Sequence, residues 1–82
     1  MTINFDPVPG VIRVPLEKPF SDFYVLVVPA PNLGENWRTF YLMCEGFAVV
    51  ADMFSCEAAT DEEAAELAYY NGPDYIEPDQ YY

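Results

Sequence analysis

The side chains of this chain that could do chemistry are mostly carboxylates. Its 82 residues include 14 acids, three basic residues and no histidine, for a formal net charge of −11. Paired carboxylates can act as general acid and base, but the commonest general base and metal ligand is missing. The chain also has no glycine-rich phosphate loop, no CxxC pair and no HExxH sequence. We therefore expect neither an enzymatic activity nor a cofactor.

The acids are concentrated in the C-terminal half. No basic residue follows Arg38, and the 44 residues after it carry ten acids. Direct binding to nucleic acid or to an anionic membrane is not expected, because three cations cannot neutralise many phosphates. An acidic surface attracts basic protein surfaces instead. The ten acids are Glu45, Asp52, Glu57, Asp61, Glu62, Glu63, Glu66, Asp74, Glu77 and Asp79.

Carboxylates and tyrosines are interleaved in this half. Glu62 and Glu66 are one helical turn apart, which places their carboxylates about 6 Å from each other, similar to phosphates about 7 Å apart on a nucleic-acid strand. Tyrosine adds contact area and a hydroxyl to binding surfaces at low entropic cost. The predicted partner-binding residues are Asp61, Glu62, Glu66, Tyr69, Tyr70, Asp74, Tyr75, Glu77 and Asp79.

A second explanation fits some of these residues. Acids in the first turn of a helix are stabilised by the helix dipole, and an acidic face also keeps a small protein soluble. Tyr75 can instead attach the tail to the sheet, and Tyr81 and Tyr82 can form a frayed end. A specific metal site is not expected, because the acids lack the calcium-loop spacing. The exclusion of every basic residue after Arg38 favours the binding hypothesis.

One helix is predicted to position the central part of this set, over residues 60–71. Thr60 and Glu63 form the capping-box pattern T-x-x-E, and Asn71-Gly72-Pro73 is a typical helix end. An apolar stripe at i, i+3 and i+4 predicts that the helix lies on a sheet. The stripe is Ala64, Leu67 and Ala68, and the residues expected to face solvent are Glu62, Glu66, Tyr69 and Tyr70.

The segments before the helix predict strands. Residues 1–19 are rich in proline, which cannot occupy a central strand, so we expect an arm with at most one short edge strand, Val11–Val14. Further strands are predicted within 20–28, 37–44 and 47–55. The predicted fold is α+β: one domain with a three- or four-stranded antiparallel sheet, one helix in the C-terminal half on one face, and an acidic, tyrosine-rich tail over 72–82.

A tight turn at Glu45-Gly46 would set the register of the last hairpin, with Leu42 opposite Val49. Both faces would be largely apolar, and the helix can cover only one. The arm, the tail or a second copy must cover the other, although repulsion between two chains of charge −11 favours a monomer. One face would hold Phe40, Leu42, Val49, Ala51 and Met53, and the other Trp37, Tyr41, Met43, Val50 and Phe54.

The location of the chain is predicted from what its sequence lacks. No apolar stretch is long enough to span a bilayer, and residues 1–6 do not have the pattern of a signal peptide. Cys44 and Cys56 would lie far apart on the predicted hairpin, so both are expected to be reduced thiols. These features predict a cytoplasmic protein.

A small, strand-rich acidic chain with one alanine-rich helix, here ATDEEAAELA over residues 59–68, resembles phage-encoded inhibitors of host defence, in particular anti-CRISPR proteins and other nucleic-acid mimics. The resemblance is one of size, charge and element order over the whole chain. It implies a non-enzymatic inhibitor that blocks the basic nucleic-acid-binding site of a defence complex, such as a CRISPR effector, in the host cytoplasm. The alternative is a small structural or adaptor protein of a phage or bacterium that associates through an apolar sheet face.

Overall fold

The computed structural model describes residues 4–5, 8–44 and 48–76. One antiparallel sheet contains five strands in chain order, so that each strand pairs with the next along the sequence. The strands are β1 (Asn4–Phe5), β2 (Ile12–Pro15), β3 (Phe23–Pro29), β4 (Trp37–Cys44) and β5 (Ala48–Glu57). They are followed by the helix α1 (Asp61–Asn71) and a 3₁₀ helix (Gly72–Tyr75).

This arrangement confirms the predicted α+β class, with an antiparallel sheet and one α-helix in the C-terminal half. The helix α1 lies against β2 and β3. Its contact face consists of Ala64, Ala65 and Ala68, which are fully buried, and such small side chains allow the helix to approach the sheet closely. Leu67 was expected in this stripe, but it is only partly buried and Ala65 takes its place.

Both ends of α1 are specified locally. The Thr60 hydroxyl accepts a hydrogen bond from the Glu63 amide at 3.1 Å, and the Glu63 carboxylate accepts one from the Ala59 amide at 3.3 Å, as in a capping box. The chain continues from Asn71 directly into the 3₁₀ helix, so Gly72 is right-handed, with φ −52°. A Cβ at Gly72 would lie only 3.0 Å from Val25 Cγ2, so glycine serves close packing here.

The prediction of at most one strand in the proline-rich arm, at an edge of the sheet, is wrong in two respects, because the arm contributes both β1 and β2. The strand β2 lies inside the sheet, between β1 and β3, and Ile12 and Val14 are fully buried. Gly10 permits this path because it has a φ of 82° in the turn before β2, a value that favours glycine. Pro15 is tolerated because it ends the strand.

The predicted register of the β4–β5 hairpin is also wrong. Leu42 pairs with Ala51, and Phe40 pairs with Phe54, because two register shifts interrupt the ladder. Cys44 pairs with Ala48, while the proposed turn residues Glu45 and Gly46 lie outside the described residues. Each shift adds one residue to β5, first at Val50 and then at Met53, as in a β-bulge.

The two irregularities change which residues of β5 face the core. Val50, Ala51, Met53 and Phe54 all contact the core, as neighbouring residues do at a bulge. Val49, predicted on the same face as Leu42, is 58% exposed. Phe54, predicted on the opposite face, packs on Phe40 with ring centroids 4.7 Å apart. A strictly alternating strand could not bury these four residues.

The two faces of the sheet differ in cover. The inner face carries α1 and the 3₁₀ helix and includes the fully buried Val25, Val27, Phe40 and Leu42. In the described ranges neither helix lies on the outer face. Its apolar residues, assigned by the strand pairing, are Tyr24, Leu26, Val28, Tyr41, Met43 and Val49.

Candidate protein-binding surface

Among the described acids of the predicted set, Asp61 is the one that forms an ion pair. It lies on the side of α1 that faces the sheet, one turn before Ala64 and Ala65, and its carboxylate accepts a hydrogen bond from Arg38 Nη1 at 2.8 Å. The Arg38 side chain, only 15% exposed, also donates from Nε to the carbonyl of Ala58. This pair ties β4 to the start of the helix, which is a structural role for both residues.

The other acids of the two helices point outward. Glu62, Glu63 and Glu66 on α1 and Asp74 on the 3₁₀ helix are all exposed. In the described part of the chain, none of these four carboxylates forms an ion pair. We call these four residues the acidic surface. Its members share one layer of the molecule, opposite the outer face of the sheet.

Two tyrosines of α1 lie next to the acidic surface. Tyr70 is 69% exposed, and its ring meets that of Tyr69 edge to face, with centroids 5.3 Å apart and an interplanar angle of 86°. Tyr69 is half-buried, and its hydroxyl donates a hydrogen bond to the Glu17 carboxylate. This hydrogen bond, together with desolvation and the Glu17 charge, raises the pKa of Tyr69. Glu17 thus joins the helix surface from the loop after β2.

Tyr70 stands between two shallow concavities. One, of about 270 Å³, is lined by residues of the β2–β3 loop and by the C-terminal end of α1. The other, of about 210 Å³, lies along the outer side of α1. The first contains Leu16, Glu17, Lys18, Phe20, Tyr69, Tyr70 and Pro73, and the second contains Glu63, Glu66, Leu67, Tyr70 and Asn71.

Two of the four remaining predicted site residues, Asp74 and Tyr75, are described by the structure. Asp74 is exposed on the 3₁₀ helix, whereas Tyr75 is half-buried and its ring lies 6.2 Å from that of Phe54. This contact attaches the 3₁₀ helix to β5, as the alternative explanation of Tyr75 requires. Glu77 and Asp79 lie outside the described residues. The structure thus exposes Glu62, Glu66, Tyr70 and Asp74 on the two helices, with Tyr69 in contact with Tyr70, and it places Asp61 and Tyr75 in internal contacts.

Neither metal binding nor thiol chemistry draws support from the geometry. The described ranges contain no group of three or more acids and cysteines placed to hold a metal ion. Cys44 and Cys56 are both reduced. Burial, reinforced by the negative charge of Glu63, raises the pKa of Cys56, and this lowers the thiolate fraction that reactivity requires.

No helix in the described ranges is long and apolar enough to cross a bilayer.

Sequence reasoning missed Glu17, Lys18 and Phe20, and it treated Glu63 only as a cap. Glu63 could have been found, because it lies on the same helix face as Glu66 and Tyr70 at spacings of three and seven. The loop residues could not have been found, since only the pairing of β2 with β3 brings them to the end of α1.

Comparisons with known proteins yield no relative: no family model, no curated protein sequence and no solved structure matches this chain.

Proposed function

We propose that this chain is a non-enzymatic inhibitor that uses its acidic surface to occupy the basic nucleic-acid-binding site of a host defence complex, as an anti-CRISPR or similar anti-defence protein of a phage. Its site of action is then the host cytoplasm. The observation that carries the proposal is the acidic surface itself: four exposed carboxylates without ion pairs in the described part of the chain. A basic groove would supply the counter-charges.

The ion pair between Arg38 and Asp61 leaves the other acids of α1 without a counter-charge among the described residues. Arg38 is bound to Asp61 and to the Ala58 carbonyl, so it does not offset the charge of Glu62, Glu63 or Glu66. Like charges at i and i+4, as at Glu62 and Glu66, cost a few tenths of a kcal/mol in an isolated helix. In a cationic groove the attraction of Glu62 and Glu66 to positive charge would outweigh this repulsion. An ordinary solvent-facing helix gains stability by interleaving lysine or arginine, which is absent here.

The direct test is competition with nucleic acid. A basic partner is first captured from host lysate on the immobilised chain and released by raising salt, since exposed charges are screened beyond about 10 Å at 0.1 M ionic strength. The released protein is loaded with a short duplex and titrated with this chain. We expect displacement of the duplex, with the same end point for either order of addition.

Poly-L-glutamate at equal carboxylate concentration is the control, because it provides negative charge without a fixed surface. It should displace the duplex much less effectively than the folded chain. If the duplex and the chain bind together with no loss of affinity for either, the proposed function is wrong.

A second function has one specific observation in its favour. The outer face of the sheet includes the partly exposed Leu26 and Tyr41 and the 58% exposed Val49, and neither described helix lies on it. An apolar face of this kind is typical of association surfaces. The alternative is therefore a structural or adaptor protein of a phage or bacterium that associates through this face.

The state of the free chain separates the two functions. We expect a monomer by multi-angle light scattering at low salt, because bringing two chains of charge −11 together costs electrostatic energy. Raising the salt concentration screens this repulsion and provides the internal comparison. A dimer that is already stable at low salt would mean that apolar association outweighs the repulsion, and it would favour the structural alternative.

A further inference from the structure

The concavity beside Tyr70 differs from the rest of the acidic surface because it has apolar walls. Leu16, Phe20 and Pro73 line it together with the two tyrosine rings. Its volume of about 270 Å³ is below the range of roughly 300–1,000 Å³ that is usual for small-molecule sites. A space of this size suits a single side chain of a partner.

The polar groups of this concavity restrict what that side chain can be. The Glu17 carboxylate lies at this concavity beside Tyr69, and it has acceptor capacity for a further donor, because a carboxylate has about four lone-pair sites. Tyr70 offers a ring that is 69% exposed. A carboxylate next to an exposed aromatic ring is complementary to a cation, and the chain as a whole has a charge of −11.

We propose that the concavity formed by Leu16, Glu17, Phe20, Tyr69, Tyr70 and Pro73 binds an arginine side chain of the partner protein. This inference rests on the proposed function and adds to it a specific contact. The guanidinium stacks on the Tyr70 ring and donates to the Glu17 carboxylate, while its methylene groups lie along the apolar wall. Arginine fits better than lysine, because a planar guanidinium both stacks on a ring and donates in a fixed fork.

Lys18 also lines this concavity and opposes the binding of a second cation. Its ammonium group adds positive charge where the guanidinium must enter. Substitution of Lys18 by methionine keeps most of the side-chain length and removes the charge. We expect Lys18→Met to tighten arginine binding, whereas Glu17→Gln and Tyr70→Ala should weaken it.

The experiment uses the full chain, labelled with ¹⁵N, and two probes: the peptides acetyl-Gly-Arg-Gly-amide and acetyl-Gly-Lys-Gly-amide. Amide shifts should concentrate in residues 16–20 and 69–72 and saturate, with the arginine peptide binding about threefold or more tightly than the lysine peptide. Tyr70→Ala should weaken binding about fivefold or more, and Tyr70→Phe should stay within about twofold, because the phenyl ring still stacks.

Glu17→Gln is compared with Glu35→Gln, which removes the same charge from an exposed position in the β3–β4 loop. The Glu17 substitution should weaken arginine binding several-fold more than the Glu35 substitution. Thermal melts of each variant identify a loss of folding, and Tyr70→Ala, at an exposed position, still tests the site if Glu17→Gln unfolds. Equal effects of the two glutamine substitutions, or shifts spread evenly over Glu62, Glu66 and Asp74, would overturn the inference.

The failure of this inference can be distinguished from failure of the proposed function. If the chain displaces the duplex but Glu17→Gln and Glu35→Gln are equivalent, the arginine site is wrong and the function stands. If the peptide saturates the concavity but the duplex is not displaced, the site exists and serves a partner that does not bind nucleic acid there.

Discussion

Replacement of Glu62, Glu66 and Asp74 by lysine is expected to abolish partner binding and inhibition while the fold survives. All three side chains are exposed, so no buried contact is lost. At a cationic groove each attraction becomes a repulsion, and like charges that face each other across an interface cost several kcal/mol, so we expect an affinity loss of about 100-fold or more. Titration of the variant into the partner–duplex complex measures this loss.

A matched control separates position from total charge. Asp22, Glu35 and Asp52 are exposed carboxylates outside the two helices, and their replacement by lysine changes the net charge by the same amount. This control should keep most of the affinity and lose mainly the long-range steering, which affects the association rate. If both triple variants lose binding equally, the position of the charges is irrelevant and the acidic surface has no specific role.

The triple variant avoids Glu63 because the Glu63 carboxylate also caps the helix through the Ala59 amide. Lysine at position 62 has a cost of its own, since a cation in the first turn opposes the helix dipole by about 0.3–1 kcal/mol. That cost is small compared with the expected loss of binding. Circular dichroism should therefore show a folded variant with a slightly lower melting temperature.

The helix was predictable from sequence because its signals are local. The Thr60–Glu63 pattern and the Asn71-Gly72-Pro73 end lie within one turn of the boundaries they specify, and both boundaries are confirmed. The antiparallel pairing was also predictable, since short connections join successive strands, whereas the order of the strands in the sheet was not predicted. The stripe was only partly correct, since Leu67 is partly buried and the fully buried Ala65 was not predicted in it, because three alanines beside one leucine hardly define a stripe.

The errors concern residues whose positions depend on distant partners. The sequence VVADMF over residues 49–54 alternates poorly, and only packing against Phe40 and Leu42 decides where the extra residues of β5 are inserted. The Arg38–Asp61 pair and the Tyr69–Glu17 hydrogen bond join residues far apart in the chain. For the candidate surface, exposure of Glu62, Glu66 and Tyr70 was predictable, whereas the apolar wall beside Tyr70 was not.

The corrected register of β5 leads to the largest expected effect on stability. Phe54 lies between two aromatic rings, with its centroid 4.7 Å from that of Phe40 and 6.2 Å from that of Tyr75. Phe→Ala substitutions at buried sites cost about 3–5 kcal/mol. Phe54 is only partly buried, so we expect Phe54→Ala to lower the free energy of unfolding by roughly 2–3 kcal/mol. That is a large part of the roughly 4–12 kcal/mol typical of a domain of this size.

Val49→Ala is the matched comparison on the same strand, because the two registers predict opposite orders of effect. In the regular two-residue hairpin, Val49 would be buried opposite Leu42 and Phe54 would lie on the other face. In the structure, Val49 is 58% exposed, so its truncation should change the free energy of unfolding by no more than about 1 kcal/mol. Chemical denaturation of both variants measures the two values. A larger loss for Val49→Ala than for Phe54→Ala would contradict the bulged strand. It would also contradict the contacts of Phe54 with Phe40 and Tyr75, which hold the 3₁₀ helix, and with it Asp74, in the acidic surface.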